Sequence, residues 1–158
     1  MERNKKTIIR CAFGAYIALM LWLLFGQRWG MNSGGAYLQQ MKENLNLIPF
    51  RTIRQFMHIL QSAQGGAMRH AVINLAGNVV MFVPLGFFLP LTSEKCRHYG
   101  KHLSCVLVIL LAIELLQLIT LLGSCDVDDF LLNVPGTAIG YGIFCLFFRK
   151  NRGNTHKL

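Results

Sequence analysis

Residues 71–91 read AVINLAGNVVMFVPLGFFLPL. This stretch has no charged side chain, and its length suits a helix that crosses a bilayer, which needs roughly 20 apolar residues. Pro84 removes one backbone hydrogen bond and clashes with the preceding turn, so we expect a kink between Val80 and Pro84. Membrane helices tolerate such a proline where neighbouring helices satisfy the freed carbonyl. The stretch therefore predicts a membrane-spanning helix.

Three further apolar runs flank this stretch, at residues 8–27, 102–122 and 130–148, and each is long enough to span. The chain has 158 residues, of which 53% are hydrophobic and 15% charged, whereas a soluble domain carries about a quarter charged residues. We therefore predict a single domain over residues 1–158. Its fold class is all-α, a polytopic membrane bundle of about four transmembrane helices.

The segment near residues 45–62 has a different pattern. Apolar residues recur there at roughly helical spacing, between Arg51, Arg54 and His58: Leu45, Ile48, Ile53, Phe56, Met57 and Leu60. This pattern predicts an extracytoplasmic amphipathic helix over about 50–62, with Pro49 near its start. The helix either lies on the membrane surface or packs on the bundle as a lid, and the sequence leaves both open.

Basic residues predict the orientation of the spans. With the amino terminus in the cytoplasm, the inner segments are both termini and the turn at Lys95, and all three are basic. The outer loop 123–129 has no basic residue, although the long segment 27–70 carries several. We expect both termini in the cytoplasm. We expect the basic residues that give the net charge of +9 to contact anionic lipid head groups. We expect no nucleic-acid binding, since no basic stripe is interleaved with exposed aromatic residues.

Glu114 and Gln117 lie near the middle of the third span and share one helix face, because they are three residues apart. A carboxylate at that depth is costly unless it is neutral, paired or facing a polar cavity. Glu114 is therefore a candidate acid, base or ligand contact. The alternative is an interhelical hydrogen bond that fixes the packing of the bundle. Asn74 and Asn78 share a face of the second span and are natural partners for the Glu114 face.

Asp126, Asp128 and Asp129 stand immediately before the fourth span. Aspartate at a helix start caps free amides and complements the helix dipole, which explains one or two of the three. We expect the remaining carboxylate to have a partner: a cation, a substrate amine, or the basic segment around Arg51 and Arg54. Mg²⁺ or Ca²⁺ would suit clustered oxygens, but the cluster alone does not identify a metal, and we expect no cofactor.

Asn133, Gly136 and Gly140 share one face of the fourth span. The two glycines form a small-xxx-small pattern that lets helices approach closely. Because a short loop joins the third and fourth spans, we expect these two to form an antiparallel pair. Glu114 would then lie roughly 12 to 18 Å below the acidic loop at the helical rise.

We predict that the polar side chains of the spans meet in one cluster facing the bundle interior, because each would be costly against lipid. The predicted members are Asn78, Glu114, Gln117, Asp126, Asp129 and Asn133. The candidate catalytic residues are Glu114, Asp126 and Asp129. The candidate ligand-binding residues are Asn78, Gln117, Asp128, Asn133, Arg51 and Arg54.

Four ordered blocks of the chain resemble the VanZ-like family of membrane proteins. They are NLIPF (46–50), NVVMFVPLG (78–86), ELLQ (114–117), and DVDD (126–129) followed by Asn133, Gly136 and Gly140. Each block is weak alone, and together they are specific. The chain departs from the family at Val134-Pro135, where many members have a small or apolar residue in place of the proline. A proline in the first helical turns bends the start of the span more than it breaks it.

The family is named for a protein that raises resistance to the glycopeptide teicoplanin. The resemblance therefore implies a cell-envelope role in a bacterial plasma membrane. Many members have no assigned activity, so the resemblance implies no mechanism. We expect membrane lipids as partners and a lipid-linked cell-wall precursor or a lipoglycopeptide as ligand. The sequence leaves open whether the chain forms a homo-oligomer.

Two functions remain open at this point. The chain is either a protein that binds a lipophilic or lipid-linked ligand at its outer face, or an intramembrane enzyme acting on such a molecule. In the enzyme, Glu114 would be the acid or base and the aspartates would hold a cation or the substrate. The enzyme hypothesis gains no support from sequence motifs, since neither HExxH nor GxSxG is present. A transporter is less favoured, because four spans are few and no inverted repeat is visible.

Overall fold

The computed structural model describes residues 2–26, 36–62 and 65–149. Within these ranges the chain forms the helices α1 (Glu2–Phe25), α2 (Tyr37–Glu43), α3 (Arg51–Ser62), α4 (Gly66–Thr92), α5 (Tyr99–Thr120) and α6 (Val127–Phe144). The remaining elements are the strands β1 (Leu45–Asn46) and β2 (Cys125–Asp126), a 3₁₀ turn (Glu94–Arg97) and a π turn (Cys145–Arg149).

Four helical segments are long and apolar enough to cross a membrane: Arg3–Phe25, Gly66–Thr92, Tyr99–Thr120 and Val127–Phe148. The all-α class and the four predicted spans are therefore confirmed; residue 27, the predicted end of the first span, lies outside the described residues. Large apolar side chains cover the outside of the bundle, and Val80 and Val108 are each about two thirds exposed, at 65% and 67%. Exposed apolar surface of this extent is expected where lipid is the solvent.

Close packing of glycines joins α4 to α6. A Cβ atom added to Gly136 would collide with the carbonyl oxygen of Val79, and one added to Gly140 would collide with that of Val83. Both contacts advance by four residues in the same direction, so α4 and α6 run parallel. The small-residue pattern does permit close approach, but its partner is α4. The expected pairing of the third and fourth spans is the looser contact, since α6 packs much more extensively on α4 than on α5.

An apolar core lies between α1, α4 and α5. Its fully buried members are Met20, Phe82, Leu85, Val106, Leu110 and Ile113. The Tyr16 hydroxyl of α1 donates a hydrogen bond of 2.9 Å to the carbonyl oxygen of Met81, in the turn before Pro84. The helix α4 continues unbroken through Pro84 from Gly66 to Thr92, and the kink expected there stays a prediction.

The predicted amphipathic helix is α3, which begins two residues after Pro49. It packs on α4 and also contacts α6, so of the two sequence-based alternatives the structure favours packing on the bundle. Its inner face is half-buried, and Phe56 lies with its ring centroid 6.3 Å from that of His70 on α4. Arg51 and Arg54 lie on the exposed face. These contacts hold α3 against α4 and α6.

We expect Gly136→Ala to destabilise the protein by about 1–3 kcal/mol, the usual cost of overpacking, because the new methyl group would push α6 away from the Val79 carbonyl. Gly142→Ala is the matched control, since a Cβ atom at Gly142 meets nothing within 4 Å. Thermal unfolding of both variants in detergent measures the difference. Equal melting temperatures would contradict the close α4–α6 contact.

Candidate functional site

A polar cleft of about 410 Å³ opens among five helical elements. Each of α1, α3, α4, α5 and α6 contributes side chains, and the loop before α6 contributes Ser124 and Asp126. The polar lining residues are Thr52, His70, Asn74, Asn78, Gln117, Ser124, Asp126 and Asp129. The apolar ones are Leu23, Leu24, Phe56, Met81 and Leu132. The cleft is therefore amphipathic, with polar and apolar groups on its walls.

Asp128 caps a helix far from it in sequence. Its carboxylate accepts hydrogen bonds from the backbone N–H groups of Phe50 (2.5 Å), Thr52 (2.8 Å) and Ile53 (3.1 Å), at the start of α3. The side chain is fully buried, with 0% exposure. Backbone amides at a helix start attract a negative charge, which compensates the cost of burying this one. Phe50 adopts a left-handed conformation at φ 63°, which costs energy for a residue with a side chain and points its amide at the carboxylate.

Asp126 also links the start of α6 to the segment at the start of α3. It caps α6 by accepting the N–H of Asp128 at 2.9 Å. It also accepts a bond of 3.0 Å from the Asn46 amide and one of 2.5 Å from the Thr52 hydroxyl. The strands β1 and β2 pair in parallel beside it, with Leu45 opposite Cys125 and Asn46 opposite Asp126. The NLIPF block and the DVDD block thus form a single unit, which we call the polar lock (residues 44–53 and 125–128).

Glu114 anchors the polar lock to α5. The side chain is 2% exposed, and its carboxylate accepts the backbone N–H of Asp126 at 2.9 Å. The expected separation of 12 to 18 Å between Glu114 and the acidic loop is therefore wrong. The helix α5 ends at Thr120, Leu121 turns the chain in a left-handed conformation at φ 56°, and the chain then folds back by about 9 Å, the helical rise from Glu114 to Thr120.

Asp129 and Asn78 are hydrogen-bonded to each other in the lining of the cleft. The Asn78 amide donates a hydrogen bond of 2.7 Å to the Asp129 carboxylate, linking α4 to α6. Across the cleft, the Gln117 amide donates a bond of 3.5 Å to the carbonyl oxygen of Leu24 on α1. Gly123 leaves space for Gln117, since a Cβ atom there would lie 2.7 Å from its side chain. Four of the bundle's helices therefore meet around these polar groups.

The predicted site residues lie in different surroundings. Asn78, Gln117, Asp126 and Asp129 line the cleft, whereas Glu114 and Asp128 are buried beside it in contact with backbone amides. Asn133 is buried one turn below Asp129, and its side-chain oxygen meets no hydrogen-bond partner among the described residues. Arg51 and Arg54 are exposed and do not line the cleft. The segment around them does supply a partner for an aspartate, but through backbone amides in place of guanidinium groups.

Sequence reasoning missed several polar residues of the site: Asn46, Thr52, His70 and Ser124. Asn46 opens the NLIPF block, and His70 is four residues before Asn74 on the same helix face, so both carried a weak signal. The Asn74 amide bonds the backbone carbonyl of His70 at 2.9 Å. No sequence pattern marks Thr52 or Ser124 as a site residue, because their positions in the cleft depend on the contact between two loops that are far apart in the chain.

Acidic groups dominate the electrostatics of the site. Among the described lining residues, the ionisable ones are Asp126, Asp129 and His70. Burial raises the pKa of the nearby Cys125 thiol, and the negative charges of Glu114, Asp126 and Asp129 raise that pKa further. In the part of the chain that the structure describes, no group of three or more His, Cys, Asp or Glu side chains could hold a metal ion. The carboxylates of Asp126 and Asp129 can accept hydrogen bonds or pair with a positive charge.

The fold and the site define a polytopic α-helical membrane protein with an amphipathic cleft closed at one side by a polar lock. A family model described as VanZ/LLP1 matches residues 13–148, which is most of the chain. The chain therefore belongs to the VanZ-like family. No curated protein and no solved structure shows significant similarity to it.

We expect Asp128→Asn to loosen the start of α3. The amide keeps the shape but has one acceptor oxygen in place of two, so at least one buried N–H loses its partner, at about 1–3 kcal/mol. Hydrogen–deuterium exchange of the purified protein measures this, with exchange accelerated about tenfold or more at the amide of Phe50, or at those of Thr52 and Ile53, according to which of them loses its acceptor. Glu43→Gln, a similar change on an exposed acid of α2, is the control. Unchanged exchange in Asp128→Asn would rule out the cap.

Proposed function

We propose that this protein binds a lipophilic or lipid-linked ligand in the cleft, from the outer leaflet of a bacterial plasma membrane. The observation that carries the proposal is the division of the cleft lining. Asn78, Asp126 and Asp129 contribute polar groups from α4, from the loop before α6 and from α6, whereas the described lining residues of α1 are the apolar Leu23 and Leu24. Such a site suits a molecule that has both a polar head and an apolar chain.

The polar wall favours a head group that donates hydrogen bonds. Asp126 and Asp129 supply carboxylate acceptors, and an amine or several hydroxyl groups on the ligand would complement them. Leu23 belongs both to the cleft and to the outer face of α1, where it is 38% exposed. An acyl or polyprenyl chain could therefore pass from the cleft to the surrounding lipid beside α1. Lipid-linked wall precursors and lipoglycopeptides combine these two chemical features.

Glu114 supports a binding protein better than an enzyme. Its carboxylate is bonded to the Asp126 amide, and the side chain is absent from the described lining of the cleft. Proton transfer needs a group within hydrogen-bond reach of the reacting atom. These contacts fit a residue that positions the polar lock. The variant Glu114→Gln keeps the hydrogen-bond acceptor and removes titration, so full function of this variant would argue against acid–base catalysis.

Membership of the VanZ-like family suggests a biological role for such binding. We propose that the protein lowers the sensitivity of the cell to teicoplanin-type antibiotics by binding the acylated drug or the lipid-linked wall precursor. The acyl chain distinguishes teicoplanin-type antibiotics from lipid-free glycopeptides. Lipid-free glycopeptides lack the group that would occupy the apolar wall, so the protection should be weaker against them.

We expect Leu132→Trp to abolish the protection, because an indole ring at this position would fill the cleft without changing its charge. Leu131→Trp is the matched control, since Leu131 is the neighbouring residue on α6 and is 39% exposed on the outer face. The measurement is the teicoplanin concentration that inhibits a sensitive bacterium expressing each variant, with protein levels compared by immunoblot. The first variant should match the empty vector and the second the unsubstituted protein.

Two results would contradict this proposal. Expression of the unsubstituted protein could leave sensitivity to both acylated and lipid-free glycopeptides unchanged, which would remove the resistance role. Alternatively, Leu132→Trp could protect as well as Leu131→Trp at equal protein level, which would remove the cleft. A thermal shift of the purified protein with acylated and deacylated teicoplanin separates direct binding from an indirect effect in the cell.

A further inference from the structure

A second, smaller pocket lies at the opposite end of α1 from the cleft. It has a volume of about 270 Å³ and lies between the first turns of α1 and the end of α4. Its charged lining residues are Lys6, Arg10, Glu94 and Arg97, and the others are Ile9, Leu91 and Thr92. We call it the basic pocket. Its residues on α1 lie about 21–27 Å along the helix from Leu24, which lines the cleft, at the helical rise.

The structure holds Arg97 in place at this pocket. Its Nε donates a hydrogen bond of 3.3 Å to the carbonyl oxygen of Pro90, near the carboxyl end of α4. Its backbone carbonyl accepts a bond of 2.7 Å from the Tyr141 hydroxyl on α6. Because both the side chain and the backbone are fixed, little conformational entropy would be lost when a ligand binds the guanidinium group.

Positive charge in the basic pocket is only partly compensated. Lys6 and Arg10 are four residues apart on one face of α1, where like charges repel. Glu94 is the one acidic lining residue; its carboxylate lies 3.6 Å from the Arg97 guanidinium, and its side chain is 88% exposed. An exposed ion pair of this kind contributes little to stability. A bound anion would relieve the repulsion between the three basic groups.

The position of the pocket indicates the source of that anion. It lies where the first span begins and the second ends, at Arg3 and Thr92, which is the level of the boundary between membrane and water. Ile9 and Leu91 add apolar surface next to the basic groups. We propose that the basic pocket binds the phosphate group of an anionic phospholipid, whose acyl chains lie along α1 and α4. Basic pockets between helices suit lipid head groups for this reason. The proposal is independent of the ligand of the cleft.

The test compares lipid binding by the purified full chain in a neutral detergent. Dioctanoyl phosphatidylglycerol is titrated against dioctanoyl phosphatidylcholine, which carries the same chains and no net charge, and against inorganic phosphate. We expect the anionic lipid to bind at least about tenfold more tightly than the zwitterionic one. Lys6→Gln with Arg10→Gln should weaken the anionic lipid about tenfold or more. Arg3→Gln with Lys5→Gln is the control, since both residues are exposed on α1 outside the pocket.

A third variant gives the opposite effect and guards against misfolding of the double variant. Glu94→Gln removes the acidic group of the pocket, so the anionic lipid should bind several-fold more tightly, while Glu43→Gln, at the other end of the bundle, should leave binding unchanged. Equal binding of the two lipids, or equal loss in both double variants, would overturn the proposal. Inorganic phosphate that competes as strongly as the lipid would overturn the lipid assignment and leave a pocket for free anions.

Discussion

The burial of Asp128 against the start of α3 is the contact on which the arrangement of the site depends. Irregular backbone inside a membrane bundle carries amide groups that lipid cannot satisfy. Here the carboxylate takes the place of water, since it accepts the N–H groups of Phe50, Thr52 and Ile53. Asp126 and Glu114 do the same for α6 and for the returning loop. The buried carboxylates and these backbone amides thus stabilise each other.

This arrangement explains why four separated blocks of sequence act together. The NLIPF and DVDD blocks meet in the polar lock, the ELLQ block supplies Glu114 as its anchor, and Asn78 of the second block binds Asp129. The close glycine packing of α4 on α6 sets the distance across which that last bond forms. A cleft results between the polar lock and the apolar surface of α1. The second, third and fourth blocks supply Asn78, Met81, Gln117, Asp126 and Asp129 to its lining, and the remaining lining residues lie outside the blocks.

Much of the fold follows from the sequence, and much of the site does not. Length and hydropathy predict the four spans, and helical spacing predicts α3, because these signals are local. The aspartates predicted a helix cap, but that Asp128 caps α3 instead of α6 depends on the meeting of two loops. The expected separation of Glu114 from the acidic loop is wrong for the same reason, since no residue in the range 121–126 indicates a chain that folds back. Arg51 and Arg54 were expected near the aspartates because charge is visible in a sequence, whereas backbone amides are not.

A disulfide cross-link can test whether segments 44–53 and 125–128 are paired within the folded protein. Leu45 lies opposite Cys125 in the β1–β2 register, so Leu45→Cys should form a disulfide with Cys125 on oxidation in membranes. The other native cysteines are replaced, and the oxidation is run at alkaline pH because the Cys125 thiol has a raised pKa. We expect a link between residues 45 and 125, and we expect Leu47→Cys, two positions along, to link to Cys125 much more weakly. Absence of the link at residue 45, or equal linking at residue 47, would contradict the pairing.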